Sequence, residues 1–236
     1  MKTLFTPLFQ PIANFSGEIY AYEALMRLHG NLEQSPEEQI RHWERSGFIA
    51  IADRAMIRAV ARSLATVPYR PGIAVNASIA TIEAVGRDYV ADLARLVPLT
   101  QCVIVELTET SPIQDHAEVA RFVRACRDAG IQIALDDCHP EHEYGTEAFV
   151  RAVRPSIVKI DGSLLNRSAG SAAPCDIRRL VNTAHRYNAD VVIERVTDAL
   201  VHAHAFAIGA DFAQGTHIGI PAPLPVATAA IASAVG

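Results

Sequence analysis

The 236-residue chain has few aromatic residues, 6% against 50% hydrophobic residues overall. Its apolar content is therefore Ala, Val, Ile and Leu, which suits strands buried on both faces beneath helices. None of its four cysteines, Cys102, Cys126, Cys138 and Cys175, belongs to a C-x-x-C pair. That argues against a zinc site or a disulfide framework. No dense Lys/Arg run occurs, and 21 basic residues face 26 acidic ones for a net charge of −5. A duplex nucleic acid partner is not expected. An anionic ligand would need metal ions to reverse the local field. Residues 1–10 lack the charged start and apolar core of a secretory signal. The weakly polar tail, 224–236, is too short and too rich in Ala, Ser and Thr to span a bilayer. No membrane partner is expected, and the reducing cytoplasm is the expected setting. Neither G-x-G-x-x-G nor a Walker loop is present, which weakens the nucleotide-binding open sheets.

What is present is a rhythm of short apolar runs and longer amphipathic ones. Val119, Phe122, Val123 and Cys126 fall on one helical face. Asp115 and Glu118 suit a capping box at its start, and Gly130 suits its end. Ile57, Val60 and Leu64 mark another helix, ended by Pro68. Further helices are expected near 81–96, 147–153, 176–187 and 198–208. Strands are expected at 73–75, 103–105, 131–135, 157–160, 191–193 and 210–213. This alternation argues for βα units and a parallel sheet, closed or open. The opening differs. Residues 4–12 and 18–28 look like two strands around a turn at Asn14–Gly17, with no helix between them. That pair is expected to be antiparallel. No linker divides the chain, so a single domain over 1–236 is expected.

Most of the strand candidates end in a polar group. Val75 runs into Asn76, and Val105 into Glu106, with Glu109 a turn later. Leu135 runs into Asp136 and Asp137. Val158 runs into Lys159, Ile193 into Glu194, and Ala213 into Gln214. Glu23 stands in the second early strand. Taken singly, each acid reads as a helix cap or a solvated turn residue. In a β/α barrel the strand C-termini meet at one face, where active sites sit. Among them, Glu23, Asn76, Glu106, Asp136, Asp137 and Glu194 form an all-oxygen donor set suited to Mg²⁺ or Mn²⁺ rather than zinc. Adjacent Asp136 and Asp137 can supply a carboxylate bridging two metals about 3.5–4 Å apart, a spacing suited to in-line attack at phosphorus.

In order along the chain, these residues resemble the EAL domain family of cyclic di-GMP phosphodiesterases. The resemblance rests on Gln10-Pro11-Ile12, Tyr22-Glu23-Ala24-Leu25-Met26-Arg27, Val75-Asn76-Ala77-Ser78, Glu106-Leu107-Thr108-Glu109, Asp136-Asp137, Lys159-Ile160-Asp161, Glu194 and Gln214-Gly215. It implies a TIM-like (β/α)8 barrel with an antiparallel first strand, and hydrolysis of cyclic di-GMP to linear pGpG with two Mg²⁺ or Mn²⁺ ions. It implies that Glu23, Asn76, Glu106 and Asp136 hold one metal, and that Asp136, Asp137 and Glu194 hold a second. Lys159 is implied to orient the attacking water, Gln214 to sit by the metal-bound water, Arg27 and Gln10 to contact the dinucleotide, and Glu109 to brace the loop after Asp137. The expected partners are a second copy of the chain, as a homodimer, and a regulatory protein.

Two segments depart from the family pattern. D-D-F-G-T-G-Y-S-S becomes Asp136-Asp137-Cys138-His139-Pro140-Glu141-His142-Glu143-Tyr144, which loses the loop glycines and gains a proline. A-E-G-V-E becomes Ile193-Glu194-Arg195-Val196-Thr197, which adds a cation and removes a carboxylate. A weaker second metal site is the expected result. His139 and His142 read as loop imidazoles, and Cys138 as a small apolar replacement for the family's Phe. Two other functions compete with the enzyme: a receptor that holds cyclic di-GMP uncleaved, and a regulator that binds a protein partner.

Overall fold

A computed structural model describes residues 5–30, 36–108, 111–166 and 173–226. Eight strands close into a barrel in chain order. They are β1 (Phe5–Asn14), β2 (Ile19–Leu28), β3 (Ile73–Ser78), β4 (Val103–Thr108), β5 (Gln132–Cys138), β6 (Ile157–Asp161), β7 (Asp190–Glu194) and β8 (Phe212–Gln214). Outside them lie α1 (Glu37–Ser46), α2 (Ile49–Leu64), α3 (Ile79–Ala94), α4 (His116–Asp128), α5 (Glu147–Val153), α6 (Ala173–Arg186) and α7 (Ala199–Ala207). The expected TIM-like barrel is the observed one. β1 runs antiparallel to both β2 and β8, and every other neighbouring pair is parallel.

The antiparallel start follows from a local turn. Asn14 Oδ1 accepts from Ser16 N at 3.0 Å and Glu18 N at 2.9 Å. Gly17 takes φ 85 without steric cost. The chain reverses in place, so no helix can intervene. Further on, each strand alternates its faces. Val103, Val105 and Leu107 of β4 join the large core beneath the helices, while Ile104 belongs to a separate cluster inside the barrel.

Helix α4 begins at Asp115, whose carboxylate accepts from Ala117 N and Glu118 N, each at 2.9 Å. The expected capping box is only half made, because Glu118 turns to Arg121 Nε at 2.8 Å instead of reaching back. Gly130, at φ 74, ends the helix as expected. The sequence reading assigned no helix before α2. The structure adds α1, whose buried Trp43 packs near Phe5 and Phe48. Cys102, Cys126 and Cys138 form no disulfide among the described residues. Among the described residues, no helix is long and apolar enough to cross a membrane.

Candidate active site

The barrel interior has two layers. The lower one consists of Ile12, Ala21, Ala74, Ile104, Ala134, Ile157 and Val192, with Phe212 packed against it. One pleat along each strand, two residues away, stand Gln10, Glu23, Asn76, Glu106, Asp136, Lys159, Glu194 and Gln214. For β1 the step runs backwards, because that strand is antiparallel. Residues two apart on a strand share a face, so all eight polar side chains fall at the mouth. The strand ends that the sequence marked as polar are thus brought to one place.

Lys159 is the centre of the mouth. It is 1% exposed, so water cannot solvate its charge. Its Nζ lies 2.8 Å from Glu106 Oε2, 2.8 Å from Glu194 Oε1, 2.9 Å from Asp136 Oδ1 and 3.2 Å from Glu23 Oε2. Four carboxylates therefore compete for three N–H donors. Glu23 is the best supported of the four. It also accepts from Asn76 Nδ2 at 2.9 Å and Gln214 Nε2 at 2.7 Å. Gln10 stands beside Gln214, and its amide donates to Gly219 O at 3.0 Å.

Burial and charge separate the acids. Burial would raise the pKa of Glu23, but Lys159, Gln214 and Asn76 hold it below the ordinary value. Glu106 is pushed well up by burial and by the Glu23 and Asp136 charges, although Lys159 pulls the other way. Burial likewise lifts Glu194 to about 8 against the pull of Lys159. The opposite directions of Glu23 and Glu106 on one ammonium have a simple basis. A single cation cannot neutralise four buried acids, so protons stay where hydrogen-bond support is poorest. Burial alone would lower Lys159, yet Asp136, Glu106, Glu194 and Glu23 raise it well above the ordinary lysine value.

A bulge brings two acids from β5 to the mouth. Leu135 pairs with Val158 and Cys138 with Ile160, so β5 spends one more residue than β6 over that step. Asp137 takes up the extra residue at φ 48. It is exposed at the rim. Partial burial and the Asp136 charge nonetheless lift its carboxyl to about 6. Beyond it, Cys138 is fully buried and its Sγ donates to Leu135 O at 3.6 Å, as a small apolar stand-in should. His139 and His142 lie on the loop with ring centres 4.8 Å apart.

A cavity of about 240 Å³ opens from the mouth towards α1 and α2. Its wall includes Glu23, Arg27, Asn76, Asp136 and Asp137 from the strand ends, and Glu37, Ile40, Asp53 and Met56 from the helices. Arg27 is held there by a hydrogen bond to Met26 O at 2.8 Å. Glu109 lies outside the described residues.

As the side chains stand, no three His, Cys, Asp or Glu among the described residues are arranged around a metal position, because the acids are drawn onto Lys159. The chemistry nevertheless fits a hard cation. Glu106 Oε1 and Gln214 Oε1 are buried in the mouth with no hydrogen-bond donor, while Asp136 Oδ1 has the Lys159 ammonium at 2.9 Å. The Gln214 amide oxygen and both carboxylates are oxygen ligands of the kind Mg²⁺ and Mn²⁺ prefer. The place of Lys159 has a signal in the composition. The 21 basic residues include only two lysines, Lys2 and Lys159. A chain that otherwise uses arginine keeps lysine where a compact ammonium, not a planar guanidinium, fits among four acids.

A closed barrel with an antiparallel first strand and an acidic, lysine-centred mouth defines a recognisable class. The EAL domain model matches residues 2–221, and the chain belongs to the EAL domain family. It is 30% identical over 155 residues to the cyclic di-GMP phosphodiesterase PdeB of Shewanella oneidensis, across 64% of this chain and 18% of that protein. It is 24% identical over 226 residues to the cyclic di-GMP phosphodiesterase PdeF of Escherichia coli, across 91% of this chain and 30% of that protein. The chain thus spans a minor part of the length of either curated relative. Among solved structures, it resembles the PaMucR phosphodiesterase in complex with c-di-GMP at TM-score 0.79 and 21% identity, covering 94% of this chain and 98% of that one. It also resembles the EAL-domain protein YkuI of Bacillus subtilis, solved with c-di-GMP and calcium, at TM-score 0.78 and 17% identity, covering 95% and 56%. At these identities the structural likeness carries the fold alone.

Proposed function

We propose that the protein is a metal-dependent phosphodiesterase that opens cyclic di-GMP to linear pGpG. The observation that carries this reading is the mouth itself, where four acids converge on one buried ammonium while Glu106 Oε1 and Gln214 Oε1 lack donors. Glu23, Asn76, Glu106 and Asp136 would hold one Mg²⁺ or Mn²⁺ ion, and Asp136, Asp137 and Glu194 a second, weaker one. When bound, the ions polarise the phosphodiester and acidify water. The chain's own residues do the rest. Arg27 offers paired N–H donors to the dinucleotide from the cavity wall. Lys159, whose N–H groups stand among the acids at the centre of the mouth, would hold the attacking water. Gln214, fixed by Glu23, keeps its amide oxygen directed into the same space and can accept from that water.

One observation favours a second reading, a receptor that binds the dinucleotide uncleaved. Asp137 stands exposed at the rim beside the altered loop, while Glu194 is committed to Lys159, so the second metal position is poorly prepared. The deciding experiment is to incubate the purified protein with cyclic di-GMP and Mg²⁺ or Mn²⁺ and chromatograph the mixture. The enzyme reading expects pGpG to accumulate and to vanish in Glu23→Ala. Binding by calorimetry with no pGpG at any metal concentration would leave the receptor.

A further inference from the structure

A second cation overlooks the same mouth. Arg195 follows Glu194 at the end of β7 with φ 51, a left-handed conformation that glycine adopts freely and a side chain resists. The backbone there has no room to relax. A Cβ on Gly162 would stand 2.4 Å from Glu194 O, and one on Gly215 would stand 2.2 Å from Val196 O. Val196 N is also tied to Gln214 O at 3.0 Å. The barrel therefore imposes the strained shape, and the sequence still places a long cationic side chain on it.

That side chain is held in a definite place. Arg195 Nη1 lies 3.2 Å from Asp161 Oδ2. Asp161 is itself anchored, because its Oδ1 accepts from Ser163 N at 2.7 Å. Asp161 is in register with Glu194 across β6 and β7 and two residues past Lys159, on the same strand face. The ion pair thus sits one layer above Lys159, at the rim. The two cations differ in availability. Lys159 is 1% exposed and engaged by four acids, whereas the Arg195 side chain is 65% exposed. A guanidinium has five N–H donors, and the contact with Asp161 engages one nitrogen.

We propose that Arg195, hung from Asp161, contacts a phosphodiester oxygen of the ligand on the β7 side of the mouth, across from Arg27 on β2. The physical need is plain. A ligand with two phosphate charges must enter a ring of carboxylates, and rim cations with free donors are what offset that approach. This inference rests on the cyclic di-GMP reading above.

The test is a calorimetric titration of cyclic di-GMP into the parent, Arg195→Gly and Arg195→Lys, each with Mn²⁺ and again with chelator. Glycine accepts φ 51 without strain, so the fold is preserved and thermal melting checks it. The expected result is affinity weakened roughly tenfold or more in Arg195→Gly, with a shallower salt dependence and no loss of bound Mn²⁺. Arg195→Lys should recover part of the loss, because it keeps the charge but not the paired donors. Equal affinity in Arg195→Gly and the parent overturns the contact and leaves the cyclic di-GMP reading intact. No binding to the parent itself overturns both.

Discussion

In the lower layer of the barrel, Ala21, Ala74, Ile104, Ala134, Ile157 and Val192 pack against one another with no polar atom to satisfy. Two residues further along the same strands stand Glu23, Asn76, Glu106, Asp136, Lys159 and Glu194, with hardly an apolar side chain among them. Backbone, register and curvature are shared, so the contrast is purely one of side chains. The lower layer gains from burial, about 25 cal/mol per Å² of apolar surface. The mouth gains nothing comparable, since desolvating ions offsets their mutual attraction and often exceeds it. The lower layer therefore holds the barrel closed, and the mouth is tolerated because that closure is secure. Such a division is expected where one layer stabilises and the next does chemistry.

The most severe way to break the mouth is Lys159→Met. It removes the one cation buried among four acids and should destabilise the protein by about 3–5 kcal/mol at neutral pH, by analogy with other broken buried pairs. The loss should depend on pH in a defined direction. A carboxyl whose folded pKa lies above its unfolded value binds its proton more tightly when folded, so stability falls as pH rises between the two. For Glu194 that window runs from the ordinary 4.5 to about 8, and without Lys159 it widens upward. Urea unfolding at pH 5 and pH 8 should show the larger deficit at pH 8. An equal deficit at both would mean that lost packing, not charge, explains the variant.

A paired experiment sets the layers against each other. Ile104→Ala opens a cavity in the lower layer and should cost about 2–5 kcal/mol while Mn²⁺ uptake stays unchanged. Glu23→Gln keeps its volume one pleat above. It should abolish Mn²⁺ uptake and cost about 1–3 kcal/mol, because Lys159, Asn76 and Gln214 all donate to that carboxylate. If Ile104→Ala lowers Mn²⁺ affinity as much as Glu23→Gln does, the two layers are not separable and the contrast fails.

The order of strands and helices was legible because burial sets it locally: alternating faces, Asp115 as a cap and Asn14–Gly17 as a turn all act over a few residues. The residues of the mouth were legible for the same reason, since a polar group after a buried strand has few places to go. Their partners were not. That Lys159 sits among four acids depends on the relative stagger of β2, β4, β5, β6 and β7, which no local spacing encodes. The bulge at Asp136–Asp137 was hidden too, because aspartate takes a positive φ more readily than most side chains but still only in a small minority of its positions. Helix α1 has few apolar positions, chiefly Ile40 and Trp43, and so gives little periodic signal. Its Gly47 stop, at φ 72, was the usable clue.

The mildest intervention concerns a residue in neither layer. Asp53 lies on α2, outside the barrel, where Oδ2 accepts from Thr81 Oγ1 at 2.6 Å, Ser78 Oγ at 3.2 Å and Ser78 N at 3.3 Å. It thereby ties α2 to the junction of β3 and α3, two residues past Asn76. Burial lifts its pKa to about 6 from an ordinary 3.8, against the pull of the Thr81 and Ser78 donors. The folded state thus holds this proton more tightly, and stability falls as pH rises from about 4 to about 6. Asp53→Asn removes the titration and keeps an oxygen that can accept. Its cost at pH 7 should be about 1 kcal/mol or less, and its stability should decline less than the parent's between those two pH values. Mn²⁺ uptake should stay unchanged, since an isosteric acceptor still fixes Ser78 and, through the strand, Asn76. Weaker uptake at unchanged stability would show the opposite. The polar layer would then depend on support from outside the barrel, and the division between a closing floor and a reactive mouth would have to include α2.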